Sequence, residues 1–446
     1  MTTTTEPSLN RVIGPGLLLL FVIGDILGTG VYALTGKVAN QVGGAVWLPF
    51  LLAFVVALLT AFSYLELVTK YPRAAGAALY THKAFGLHFL TFMVAFAVMC
   101  SGLTSASSAA KAFAGNFGSA LHADVPTTLV ALGFMLLVAL VNFRGVGESV
   151  KANVVLTCVE LTGLLIVIVI GALALTGGKG DLSRLGDFNT QPGDSVILSV
   201  TAGTALAFFA MVGFEDSVNM AEETRDPSRT FPKVMLTGIC LTGVIYVLVA
   251  ISSVALVSPA ALGEGETPLL KVVQAGAPGF PISVFAWITM FAVANSALIN
   301  MMMASRLLYG MANEGVLPRI LGRVHASRRT PWVGIVFTTL IAFGLIWFAD
   351  LTALGGTTAL LLLCVFTVVN VAVLVLRRDR VTHRHFRAPT VIPVLGALAC
   401  AFLASPLSGR AATDYRVAGI LLVIGVVLWA ITYAVHRRTE HPARGH

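Results

Sequence analysis

The chain has 446 residues, of which 57% are hydrophobic and only 11% charged, with a formal net charge of +8. Soluble domains carry about a quarter charged residues, so this composition excludes a water-soluble globular fold and requires lipid as solvent. The basic excess lies in short segments between apolar runs and needs no nucleic-acid partner.

Apolar runs of about 20 residues, enough to cross roughly 30 Å of hydrocarbon at helical rise, occur at 13–35, 45–68, 88–112, 126–143, 152–176, 195–220, 233–257, 281–310, 332–349, 354–376, 390–406 and 416–435. They predict an all-α integral membrane protein of twelve transmembrane helices. The first run is too long and too interrupted for a cleaved signal peptide and is expected to stay in the mature protein. It is broken by Gly24-Asp25-Ile26-Leu27-Gly28-Thr29-Gly30, three glycines and a carboxylate at membrane depth. In hydrocarbon every peptide group needs an internal partner, so an unwound segment persists only where protein, solute or trapped water receives the freed groups. A solute site is the favoured reading; close helix packing through Gly28 and Gly30 is the plainer one.

On the third run Ser101, Thr104, Ser105 and Ser108 recur at helical spacing and form one polar face. These hydroxyls either touch a solute or bond back to their own helix. The fifth run carries Glu160, and ionisable groups at that depth are functional by default; the alternative is a helix–helix hydrogen bond by a protonated acid. The sixth run is interrupted at Val212-Gly213-Phe214-Glu215-Asp216-Ser217. Two Gly-interrupted spans, first and sixth, stand five helices apart, which points to an inverted repeat with a midplane site between its halves. On the eighth run Ser296 and Asn300 share a face, with Met303 one turn on.

The resulting division is a 1–12 tail, a first five-helix repeat over 13–176, an extracytoplasmic loop over 177–194, a second five-helix repeat over 195–377, a basic loop over 378–389, two additional C-terminal helices over 390–436 and a 437–446 tail. With the N-terminus inside, alternate loops put 22 of the 29 basic residues on one side, including Arg377, Arg378, Arg380, Arg384 and Arg387. Lys and Arg are retained in the cytoplasm, so both termini are predicted cytoplasmic in a multi-pass plasma-membrane protein. Cys100, Cys158, Cys240, Cys364 and Cys400 fall in five separate apolar runs and read as small hydrophobes. No disulfide, metal or organic cofactor is indicated.

The break Gly24 to Tyr32 resembles the first-helix G-x-I-x-G-[ST]-G-[IV]-F signature of the amino acid-polyamine-organocation superfamily, in the branch of basic and cationic amino acid transporters. Tyr71-Pro72-Arg73-Ala74-Ala75-Gly76 through Tyr80 is similar to that family's P-x-x-G-G-x-Y loop, with Ala75 replacing a glycine. Phe208 to Glu215 and Ala221-Glu222-Glu223-Thr224-Arg225-Asp226-Pro227 resemble its sixth-helix signature and exit. Ser305 to Ala312, Gly315 to Pro318 and Thr330-Pro331-Trp332 resemble its eighth-to-ninth connection. The resemblance implies a five-plus-five inverted-repeat fold with broken helices 1 and 6, and a permease that binds an amino acid or related amine and alternates access.

An amino acid carboxylate suits free N–H groups at a half-helix N-terminus, and its ammonium suits free carbonyls. Gly28, Thr29 and Gly30 are therefore expected to present donors, and the carbonyls near Ile26 and from Phe209 to Gly213 to meet the ammonium. The resemblance makes Phe209 an aromatic lid, and Ser101 and Ser105 are candidates to touch the solute side chain. Asp25, Glu160, Glu215 and Ser296 are the candidates for ion coupling. The resemblance aligns Glu160 with a lysine of proton-coupled relatives, a departure. Two close carboxylates cannot both ionise cheaply, so they either share a proton or enclose a cation; the proton is favoured and sodium stays open. Asp25 would serve equally a second positive charge on the solute. A membrane enzyme would need a nucleophile with its base or a ligand cluster, and a channel a continuous polar lining; neither pattern is present in the sequence. Exchange, export and oligomeric state are left open.

Overall fold

The computed structural model describes residues 13–73, 76–121, 125–144, 149–188, 195–221, 223–313, 317–328 and 330–439. Ala74, Ala75, Glu222 and Gly315, singled out above, lie outside the described residues, as do Arg11, Arg329 and Arg444 among the 22 basic residues counted on one side. In chain order the helices are α1 (Pro15–Leu27), α2 (Thr29–Val42), α3 (Trp47–Lys70), α4 (Gly76–Phe85), α5 (His88–Leu121), α6 (Thr127–Arg144), α7 (Ser149–Thr176), α8 (Val196–Ala207), α9 (Pro227–Leu256), α10 (Pro259–Gly263), α11 (Pro268–Gly276), α12 (Ile282–Asn313), α13 (Trp332–Phe348), α14 (Leu351–Leu376), α15 (Val391–Ala404) and α16 (Ala412–Thr439).

Among the described residues, nine helical stretches are long and apolar enough to cross a membrane. The first, Pro15–Lys70, spans 56 residues. At 1.5 Å per residue an unbroken helix of that length would far exceed the hydrocarbon core. It is instead divided at Gly28 and again at Gly43 to Val46. Two shorter apolar helices are Trp332–Phe348 and Val391–Ala404.

Local chemistry sets the starts of these rods. Pro15, Pro227, Pro259 and Pro268 occupy first-turn positions, where the missing N–H costs nothing. Ser195 accepts from Leu198 N–H at 3.2 Å to cap α8, and Asp350 accepts from Ala353 N–H at 2.7 Å to cap α14. The sequence pattern missed α4, α10 and α11, which are too short to stand out as apolar runs. It also placed the start of the α9 run at 233, whereas the helix begins at Pro227 and contains Pro232.

α5 lies along α12, α2 along α8, and α1 against α7 and α9. The described residues contain one strand-like contact, the parallel bridge between Ile13 and Thr224. Ile13 N–H donates to Glu223 O and Arg225 N–H to Ile13 O, both at 3.0 Å. This joins the start of α1 to the exit of the sixth span. Beneath the second break, the ring of Tyr64 meets Tyr80, Phe214 and Phe366 edge-on at 5.6–6.2 Å. Such pairs contribute about 0.5–1.5 kcal/mol each beyond their buried area, and they fix Phe214 beside the interruption. Cys158, Cys240 and Cys364 are exposed rather than buried, so only Cys100 and Cys400 behave as the small core hydrophobes expected.

Candidate functional site

The first break is a single residue. Gly28 ends α1 and starts α2 with φ −25° and ψ −152°, and no side chain caps the new helix. The leading N–H groups of a helix have no intrahelical partner, so those of α2 are left for whatever faces them. The second break is longer. α8 ends at Ala207, a 3₁₀ turn covers Phe208 to Met211, Val212 is extended, and a further 3₁₀ turn covers Asp216 to Met220.

Gly213 joins these pieces with φ +121°, a region that only glycine enters freely. A Cβ built there would stand 2.5 Å from the Asp25 carbonyl oxygen and 3.0 Å from Ile26 N. A Cβ on Gly30 would collide with the Cα of Ala210. The two interruptions are thus in backbone contact, and these glycines allow it.

The breaks open onto one narrow cavity of about 40 Å3, which at about 10–15 Å3 apiece has room for a few waters. Asp25, Ile26, Gly28, Thr29, Gly30, Ser101, Ser105, Phe209, Gly213, Glu215 and Ser296 all line it. Asp216, Asn300, Met303, Thr358 and Leu362 join them. The last two come from α14, which sequence reasoning left unassigned; the paired Thr357-Thr358 in an apolar run was the available signal. A second cavity shares Val98, Glu215, Asp216 and Leu307 with the first and extends past Gly76 and Ala77 of α4.

Among the described residues the cavity wall carries three carboxyl side chains, Asp25, Glu215 and Asp216, and no basic one. Asp25 Oδ2 and Thr29 Oγ1 are buried without a hydrogen-bond partner. Glu215 is engaged locally, its Oε2 accepting from Gly213 N–H at 2.8 Å, which steadies the second break. The Ile26 carbonyl, expected to be free, accepts from the Tyr246 hydroxyl of α9 at 2.5 Å. Its second lone pair remains for a ligand. Asn300 Nδ2 bonds back to Ser296 O at 2.9 Å, and Ser296 Oγ would stand 3.0 Å from a Cβ on Gly28.

The polar face of the third span divides. Ser101 and Ser105 reach the cavity, whereas Thr104 Oγ1 pairs with Thr358 Oγ1 at 2.7 Å. Ser108 is buried away from the cavity. Glu160 also stands outside the cavity, fully buried on α7. Its carboxyl neighbours the Asn295 side chain of α12, yet neither carboxyl oxygen nor Asn295 Nδ2 has a hydrogen-bond partner of good geometry. The Tyr32 hydroxyl of α2 donates to the Glu160 carbonyl at 2.5 Å. A buried carboxyl thus sits among the helix that follows the first break, α7 and α12.

Residues 17–431 match the model of the amino acid permease family. The chain belongs to that family. The permease is 27% identical to a methylthioribose transporter of Bacillus subtilis over 97% of this chain and 94% of that protein. It is 24% identical to a branched-chain amino acid permease of the same organism, over 98% and 96% of the two chains. It is also 28% identical to a vacuolar cationic amino acid transporter of Arabidopsis thaliana, over 81% of this chain and 59% of that one. The permease is a multi-pass membrane transporter of the amino acid-polyamine-organocation superfamily and not an enzyme, as the sequence reading expected.

Proposed function

We propose that the permease is a secondary active transporter of amino acids, driven by protons and working by alternating access around the cavity between its two breaks. The observation that carries this reading is the backbone contact of Gly213 with Asp25 and Ile26 beside an uncapped α2 N-terminus. Donors and acceptors for a zwitterion then stand within one small cavity. Gly28, Thr29 and Gly30 receive the carboxylate, the second break and the Ile26 carbonyl receive the ammonium, and Phe209 covers the solute. Ser101 and Ser105 meet its side chain. A second cavity that shares Glu215 and Asp216 with the first and reaches α4 supports a path on the α4 side.

This reading uses twelve spans in two five-helix repeats with α15 and α16 added, and both termini in the cytoplasm, in keeping with the 22 basic residues on that side. Glu160, Asp25 and Glu215 carry the proton. Glu160 suits this role because a buried carboxyl without a hydrogen-bond partner is stable only while protonated or paired. Sodium in that role would draw on Ser296 and the first-break carbonyls.

The test is uptake by the purified protein in liposomes, using alanine, leucine, lysine and methylthioribose as solutes. Saturable uptake of an amino acid, accelerated by internal unlabelled solute and driven by an inward proton gradient, is expected. Glu160→Gln should abolish accumulation while leaving counterflow partly active. Uptake that follows a sodium gradient at fixed pH would replace the proton. Uptake of methylthioribose alone would overturn the amino acid assignment.

A further inference from the structure

The connection between α14 and α15 is fixed to the end of α3. Glu66, almost fully buried, receives Arg377 through two bonds, Nε to Oε1 at 2.8 Å and Nη2 to Oε2 at 2.7 Å. Ala388 N–H donates to the same Oε2 at 2.9 Å, so one carboxylate holds both ends of the segment. Lys70 Nζ donates to Leu376 O and Asp379 O at 2.6 and 2.5 Å, and the Tyr71 hydroxyl to Asp379 Oδ2 at 2.5 Å. Phe386 N–H donates to Thr69 Oγ1 at 3.0 Å while its ring packs on Phe62 at 5.9 Å.

Glu66 is taken up by Arg377, while Asp379 accepts from the Tyr71 hydroxyl and forms no ion pair with the remaining arginines among the described residues. Arg378, Arg380, Arg384 and Arg387 are exposed, and none forms an ion pair among the described residues. Directly after them α15 turns a row of apolar side chains outward: Val391 at 64% exposure, Leu395 at 48%, Leu398 at 64% and Phe402 at 41%. The spacing places all four on one face. Topology alone needs only a count of positive charges. It does not account for a pinned segment holding unpaired guanidiniums above an apolar helix face.

We infer that this segment and α15 form a binding site for an anionic phospholipid. The phosphate diester lies on the arginines, whose planar forks match phosphate oxygens, and an acyl chain runs along Val391, Leu395 and Leu398. Basic pockets at the headgroup level of membrane helices bind anionic lipids in this way. The segment continues into α14, whose Thr358 and Leu362 line the transport cavity, so lipid occupancy bears on a helix of that cavity.

The experiment is native mass spectrometry of the full chain in mild detergent, titrated with phosphatidylglycerol or phosphatidylcholine. Phosphatidylglycerol is expected to be retained at least about tenfold more tightly, and the Arg380→Gln/Arg384→Gln/Arg387→Gln variant to lose about a hundredfold, at roughly fivefold per basic side chain. Arg319→Gln/Arg323→Gln/Arg328→Gln, on the α12–α13 connection, should bind as the parent does. Should the first triple variant fail to insert, each of its single substitutions is expected to cost about fivefold. Equal retention of the two lipids, parental affinity in the first set of variants, or displacement of phosphatidylglycerol by equimolar inorganic phosphate would overturn the assignment.

Discussion

Substituting Gly213 by alanine adds one carbon at the point where the two breaks touch. The residue has φ +121°, outside the left-handed helical basin, where an L-residue is strained by about 1–3 kcal/mol. The new Cβ would stand 2.5 Å from the Asp25 carbonyl oxygen, whereas a carbon and a carbonyl oxygen rest at about 3.3–3.6 Å. The obstacle is backbone, so it cannot turn aside; overpacking of that kind costs about 1–3 kcal/mol. The breaks must separate by up to about 1 Å to accommodate it, and the combined penalty is about 2–6 kcal/mol, or at least about thirtyfold in kcat/KM if it falls on the aligned site. The assay is initial-rate uptake in liposomes beside thermal unfolding in detergent. Gly344→Ala is the control, since a Cβ on that α13 glycine meets nothing within 4 Å. Undiminished uptake and an unshifted Tm in Gly213→Ala would show that the breaks do not depend on each other.

Three further outcomes follow from the same contacts. Tyr246→Phe removes the hydroxyl that holds the Ile26 carbonyl, a bond worth about 1 kcal/mol, and should raise KM about fivefold with an unchanged fold by circular dichroism. Glu66→Ala leaves the Arg377 guanidinium without its carboxylate and should destabilise by about 3–5 kcal/mol; adding Arg377→Ala should recover part of the Tm. Between α10 and α11, burial raises the Glu266 carboxyl above its usual range, against the opposing pull of Lys111 and Lys37. A raised folded-state value makes the ionised form a liability, so stability falls as pH rises through it. Glu266→Gln should therefore raise Tm at pH 8 and leave it nearly unaltered at pH 3, where the carboxyl is protonated in both states.

Much of the site was legible because unwound backbone in an apolar run has few explanations. Gly30 and Gly213 stand where the two main chains approach, whereas Gly28 faces the Ser296 side chain. What the sequence could not convey is which freed groups find partners within the protein. Tyr246 reads as one more aromatic in an apolar helix, yet it occupies the Ile26 carbonyl from α9. Glu160, by contrast, is conspicuous as a charge in a run, but periodicity does not say whether it faces the cavity or the helices behind it. The third-span hydroxyls show the same limit, since one stripe serves the cavity at Ser101 and Ser105 and a neighbouring helix at Thr104. Arg377 read as a topology charge, whereas its buried acid lies 311 positions earlier in the chain; no local pattern encodes a contact of that separation.

The short parallel clasp of Ile13 with Glu223 and Arg225 has a mechanical corollary. Both interrupted rods are stitched together at one end, so neither slides along its axis without dragging the other. A displacement of the chain at Ile13 is therefore felt at the exit of the second interruption as well as at the head of the first rod.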